Sequence, residues 1–340
     1  MKRTIAPKTL LHTSTWMALG LFAFVLSACT GLTSVSSLRA APLSSQPVAP
    51  LSGSATPTPI PFVFQTVNDP NSSVNRVMGI NERGKVVGTV GRGSGSDIPG
   101  SYSALPPYPK FRAEDYPGAQ GTSATSLTSN RVIAGYVVDP QQLNGVWAFV
   151  RTDGVWTLLK DRKEGTGSDA VTEILGINDS YIAVGFYVNS SGAEVPVELN
   201  AITERFTNLK PPGAVSAQAT GINGKGNITG TETLSNGSVV GFFLQTGTYY
   251  PISYPGAQAT QALGLNWQDQ VVGDYEDASG AIHGFVLTYP TNGGTKQYWQ
   301  SVDEPNAGGT TVITGINNHS GICGWYVDGS GNVNGFVASP

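Results

Sequence analysis

Gly315-Ile316-Asn317-Asn318-His319-Ser320-Gly321-Ile322-Cys323-Gly324-Trp325-Tyr326 places a polar turn between two apolar runs, and five close copies of it come earlier in the chain. Each copy has a Gly-Ile-Asn start, a turn, and an apolar run with a glycine nine residues after the first. The anchor pairs are Gly79 and Gly88, Ser126 and Gly135, Gly176 and Gly185, Gly221 and Gly230, Gly264 and Gly273, and Gly315 and Gly324. Starts recur about every 47 residues, a period that belongs to propellers and other repeat arrays.

Outward from that stretch, each repeat reads as short strands joined by tight turns. Asn223-Gly224-Lys225-Gly226 separates two β-rich runs, and Asp277-Ala278-Ser279-Gly280 or Asp328-Gly329-Ser330-Gly331 makes the next turn. A third strand carries Ala148-Phe149, Gly241-Phe242, Gly284-Phe285 or Gly335-Phe336, and a fourth ends at Tyr116-Pro117-Gly118-Ala119-Gln120 or Tyr254-Pro255-Gly256-Ala257-Gln258. Four short antiparallel strands at this spacing make one propeller blade.

The last repeat stops at Phe336-Val337-Ala338-Ser339-Pro340 without a fourth strand, and a matching run, Phe62 to Val67, stands before the first Gly-Ile-Asn. The expected fold is therefore all-β: a six-bladed β-propeller of four-stranded antiparallel blades, closed by the N-terminal strand 62–67 completing the last blade. The glycines at 88, 135, 185, 230, 273 and 324 are expected to let adjacent sheets approach closely.

The Gly-Ile-Asn, Val-Gly-Tyr-type, His283-Gly284-Phe285 and Tyr-Pro-Gly-Ala blocks resemble the extracellular repeat family called HAF, over roughly residues 62–340. Only His283 supplies the histidine of that name, and the second copy has Ser126-Leu127-Thr128 in place of Gly-Ile-Asn. The resemblance implies a bacterial surface or secreted repeat protein and brings no activity with it.

Composition agrees with a turn-rich β protein: charged residues are 12% of 340, and glycine accounts for 43. The net charge of -4 offers nothing to nucleic acid. Lys2, Arg3 and Lys8 precede the apolar run Met17 to Val25 and then Leu26-Ser27-Ala28-Cys29. That order reads as an export signal over 1–28, too short in its apolar part for a membrane span. The tetrapeptide looks like a bacterial lipobox, which implies a lipid on Cys29 and a chain anchored to the membrane, at the outer membrane or cell surface. Residues 29–60, rich in Ser, Thr, Pro and Ala, read as an extended tether to a propeller over 61–340. Cys323 stands where other repeats have Val87, Ala134, Val184, Thr229 and Val272, so it is expected to pack as a small hydrophobe with no disulfide.

No catalytic constellation stands out. His283 and His319 occupy unrelated parts of the repeat, no His/Cys cluster suits zinc, and no phosphate loop precedes a helix. A single Asp per turn falls far short of a calcium site. No metal or cofactor is expected, and the chain is expected to be a monomer. If the Gly-Ile-Asn strand is innermost, the Tyr-Pro-Gly-Ala-Gln and Asp-x-Ser-Gly loops share one face of the disc. Tyr116, Gln120, Tyr254, Gln258, Asp277 and Asp328 would stand there as candidates for binding a carbohydrate or protein partner in the envelope. Turn-making is the plainer role for each of them. Two other readings stay open: a hydrolase or lyase using carboxylates such as Glu173, Glu232, Asp274 and Asp303 at the channel mouth, and a purely structural surface repeat.

Overall fold

Period-2 patterning and turn chemistry give twenty-four strands among the described residues, which in the computed structural model are 59–91, 99–164, 170–288 and 297–340. The expected export signal, Cys29 and nearly all of the tether lie outside them. A first strand, β1 (Val63–Thr66), precedes the repeats. Four separate four-stranded antiparallel sheets follow. They are β2–β5 (Asn75–Ile80, Val86–Gly91, Pro99–Ala104, Phe111–Ala113) and β6–β9 (Gly121–Leu127, Ile133–Val138, Val146–Thr152, Val155–Leu159), then β10–β13 (Thr172–Ile177, Ile182–Val188, Glu194–Asn200, Arg205–Asn208) and β14–β17 (Ala214–Ile222, Ile228–Leu234, Val239–Gln245, Thr248–Ile252). The remaining strands are β18–β21 (Ala259–Leu265, Val271–Glu276, Ile282–Thr288, Tyr298–Val302) and β22–β24 (Ala307–Ile316, Ile322–Asp328, Val333–Ser339).

These last seven and β1 form one eight-stranded sheet, in which the two halves meet only at a single parallel pair, Ile282 with Thr310. Val63 to Thr66 pairs antiparallel with Phe336 to Ser339, so β1 lies beside β24 as the fourth strand of the final group. The fold is all-β and propeller-like. The eight-stranded sheet is open, with β1 and β18 at its edges. The fully buried rings of Phe149, Phe242, Phe285 and Phe336 stand at the same third-strand position in four repeats, each worth about 3–5 kcal/mol on truncation to alanine.

The asparagine of Gly-Ile-Asn explains why the motif recurs. Its Oδ1 accepts two main-chain amides of its own turn, as Asn223 does from Lys225 and Asn227, both at 3.0 Å. Its Nδ2 donates to the main-chain oxygen at the matching position of the next repeat. These links run from Asn81 to Thr128 at 3.2 Å, Asn178 to Asn223 at 3.0 Å, Asn223 to Asn266 at 3.0 Å, Asn266 to Asn317 at 3.1 Å, and Asn317 back to Asn81 at 3.2 Å. One side chain thus shapes a turn and clasps two sheets. Thr128 keeps the first role, its Oγ1 accepting from Asn130 and Val132, but has no amide to reach Asn178. Thr128→Asn is expected to supply that bond and add about 1 kcal/mol, raising the melting temperature by about 2 °C in a calorimetric scan.

Two glycines per repeat do different work. The first lies against the next sheet: a Cβ on Gly221 or Gly264 would stand 3.1 Å from the Cα of Gly264 or Gly315. All six first anchors, Ser126 among them, line one cavity of 330 Å³. The second glycine corrects the expectation from sequence. A Cβ at 88, 135, 185, 230, 273 or 324 would meet the main-chain oxygen of Arg76, Ser123, Glu173, Gln218, Gln261 or Val312, at 1.9–2.2 Å. Those oxygens belong to the paired strand of the same sheet, where a β-bulge precedes the first anchor. The second glycine therefore accommodates a bulge within its own sheet, and the first one admits the neighbouring sheet.

Candidate functional site

The six loop residues singled out from sequence are held by local turn and packing roles, and no hydrogen bond links any two of them. In Tyr116-Pro117-Gly118-Ala119 and Tyr254-Pro255-Gly256-Ala257 the glycine has φ of 81° and 83°, and the alanine amide bonds the tyrosine carbonyl oxygen. This is the geometry that proline followed by glycine favours in a tight turn. Tyr116 is half-buried, edge-on to Trp156 at 5.3 Å. Tyr254 stacks on Tyr275 at 3.6 Å and meets Trp299 edge-on at 5.1 Å. Gln120 and Gln258 are exposed, the former donating to Asp139 at 2.7 Å. The Oδ1 atoms of Asp277 and Asp328 accept turn amides from Ser279 and Ala281, and from Ser330 and Asn332. These side-chain and backbone hydrogen bonds hold both carboxyls at about pKa 2.

One small cluster does form on this face. His283 Nδ1 lies 2.9 Å from Asp303 Oδ2 and its Nε2 lies 3.3 Å from Asp277 Oδ2, with its ring stacked 5.2 Å from that of Tyr275. Burial disfavours the imidazolium, but the two carboxylates outweigh burial and raise its pKa above the usual value. His319 is three-quarters exposed, 3.5 Å from Glu82. Cys323 is fully buried and unpaired, and burial pushes its thiol up to about 12.

The carboxylates considered for catalysis are spread over three sheets. Glu173 is buried on β10, its pKa raised well above the usual range by burial and then by Glu194. Burial raises Glu232 on β15 as well. Asp274 on β19 is raised to about 7, mainly by burial, against a 3.2 Å bond from Gln261. Asp303 belongs to the His283 cluster. Among the described residues no group of three or more His, Cys, Asp or Glu side chains is placed to hold a metal ion.

A second concavity, wider than the cavity lined by the first anchors, lies at the opposite ends of the strands. A cleft of 610 Å³ opens between β2–β5 and β6–β9. Its walls are the turn Asn81 to Lys85, the turn Ser129 to Arg131, Leu105, Arg112, and the Arg151 to Gly154 corner, over a floor that includes buried Ile133. Tyr108 fixes one rim by donating to the Gly84 oxygen at 2.7 Å. Glu114 is only 2% exposed; it accepts from Ser103 Oγ at 2.7 Å, pairs with Arg151, and lies 3.6 Å from Arg112. Lys85 has a lowered pKa: burial and the Arg112, Arg151 and Arg131 guanidiniums together outweigh Glu114. Sequence reading missed this site because its cations come from two turns and two strands of different repeats. The available signal was the coincidence of Arg83, Lys85 and Arg131 at matching turns of adjacent repeats.

No family model matches the chain, and no curated protein matches it. Solved structures do. The chain is similar to a protein of unknown function from Dyadobacter fermentans, with TM-score 0.52, 11% identity, and coverage of 81% of this chain and 97% of that one. It is similar also to TolB from Acinetobacter baumannii, with TM-score 0.47, 8% identity, and coverage of 75% and 63%. A variant of the Aleuria aurantia lectin in complex with Fucα1-6GlcNAc gives TM-score 0.45, 7% identity, and coverage of 77% and 90%. The first likeness speaks for the fold alone, and the other two are too distant to bear on function.

Proposed function

We propose that the chain is a closed six-bladed propeller of the HAF type, exported, held to the bacterial envelope by a lipid on Cys29, and serving as a non-enzymatic binding module for a carbohydrate or protein partner. Closure is supported by the bond from Asn317 to Asn81 and by the β1–β24 ladder. Export and anchoring rest on Leu26-Ser27-Ala28-Cys29 after a basic start and an apolar run. Metabolic labelling of the full chain with palmitate, lost in Cys29→Ser, is the expected result; equal labelling of that variant would remove the anchor from the proposal.

The observation that carries the binding role is the 610 Å³ cleft, a rigid concavity with charged side chains above a buried apolar floor. Concave sites of about 300–1,000 Å³ with a few placed polar groups are the usual form of small-ligand sites. Glycan and envelope-peptide arrays probed with the full chain should show a restricted set of ligands. Ser129→Trp, which puts an indole into the cleft, should abolish that binding with the melting temperature unchanged. Loss on Tyr254→Ala and Asp277→Ala in its place would move the site to the opposite loop face. An intact fold with no ligand on either array would count against the binding role itself.

A further inference from the structure

We infer that the cleft between the first two sheets takes an acidic saccharide, whose carboxylate or sulfate group sits among Arg83, Lys85 and Arg131. This rests on the reading of the cleft as the binding site. Five cationic and two acidic side chains line it, a surplus of three positive charges in a chain whose net charge is -4. The surplus is not spread evenly. Arg151 is committed to Glu114, and Arg112 lies 3.6 Å from the same carboxylate. Arg83, Lys85 and Arg131 have no carboxylate within ion-pair distance among the described residues. Burial together with the neighbouring guanidiniums already disfavours the Lys85 ammonium, so an incoming anion relieves a local repulsion. Because the chain as a whole is acidic, the cleft is where an anion gathers.

The rest of the lining selects the body of the ligand. Asp153, which is exposed at the rim, would repel a bare polyanion, yet as an acceptor it suits the hydroxyl groups of a sugar. Ser129 supplies a further polar atom at the rim, and Leu105, which is 60% exposed, offers an apolar edge for a sugar ring. One oxyanion on a polyol fits this distribution better than free phosphate or a strongly apolar ligand does.

The test is a titration of the full chain with oligogalacturonate, a sulfated dextran oligosaccharide and neutral maltohexaose, at low and high salt. At least one acidic ligand is expected to bind about tenfold or more tightly than maltohexaose. That advantage should shrink as salt rises from about 0.05 to about 0.5 M. Oligogalacturonate and the sulfated dextran separate a carboxylate from a sulfate requirement. The double variant Arg83→Ala/Arg131→Gly should erase the advantage. Arg131 has φ of 67°, and Gly84 and Gly226 occupy the matching left-handed turn position in other repeats, so this variant should melt no lower than the parent. Equal affinity for maltohexaose, or acidic binding untouched by the double variant, overturns the inference and leaves the binding role standing. Absence of binding to every saccharide and peptide overturns both.

Discussion

Alanine at position 273 is expected to lower stability by more than about 4 kcal/mol, a large share of the margin that keeps a typical protein folded. A Cβ there would stand 1.9 Å from the Gln261 carbonyl oxygen and 2.9 Å from its carbon, both main-chain atoms. A flexible side chain could swing aside; this carbonyl belongs to β18, which is paired to β19 on one edge of the sheet. Relief would require moving β18 at its bulge between Ala262 and Gly264, where Gly264 already lies against Gly315. The strain therefore spreads into the neighbouring group of strands. Gly329→Ala is the matched control: nothing lies within 4 Å of its added methyl group, and its effect should stay within about 0.5 kcal/mol. Urea unfolding followed by circular dichroism compares the two. Similar midpoints for both variants would show that the bulge can relax and that the repeated glycine is not sterically required.

That glycine shows how much of the molecule could be read in advance. Its spacing from Gly-Ile-Asn, nine residues in every repeat, reveals the period, and the period with the turn residues yields the strands and their grouping in fours. The pairing of Val63 to Thr66 with the C-terminal strand was legible as well, because the last repeat lacks a strand that the N-terminus supplies. The reason for each anchor was less accessible. Whether a glycine admits a neighbouring sheet or its own bulge depends on where carbonyl oxygens lie, which a period does not encode. The asparagine clasp was hidden for a similar reason: Asn in a turn has a sufficient local role, and its second bond, to the next repeat, needs three-dimensional adjacency. The turn role of Asp277 and Asp328 is legible from Asp-x-Ser-Gly alone, and the structure holds each there with two amides. The cleft escaped because Arg112 and Arg151 meet at Glu114 only after two sheets have been placed side by side.

Asp274→Asn is expected to stabilise the protein strongly above neutral pH and hardly at all in acid. The side chain is 4% exposed on β19, and its only hydrogen bond among the described residues comes from Gln261 at 3.2 Å. Burial, helped by the charge of Glu276 and opposed by Gln261, raises its pKa from 3.8 to about 7. A carboxyl raised in the folded state binds its proton more tightly there than in the unfolded chain. Its contribution is thus fully present below the unfolded value near 3.8, declines as pH rises, and is gone above about 7. An amide carries no charge to bury, so Asp274→Asn removes the loss. With the carboxyl raised from 3.8 to about 7, the gain is about 4 kcal/mol at about pH 8, with little change at about pH 4. Glu173, Glu194 and Glu232, all raised mainly by burial, continue to tilt the variant in the same direction, so its stability still falls with pH but less steeply. His283, raised by its two carboxylates against burial, also loses its contribution as pH rises through its folded value. Asp277 and Asp328, held at about 2, act oppositely and lose theirs only as pH falls below the ordinary carboxylate range. The parent protein should therefore be most stable in mildly acidic solution, and denaturant midpoints measured across pH for parent and variant separate the Asp274 share from the rest. A gain of equal size at both ends of the range would mean that packing, not ionisation, sets the effect of this residue.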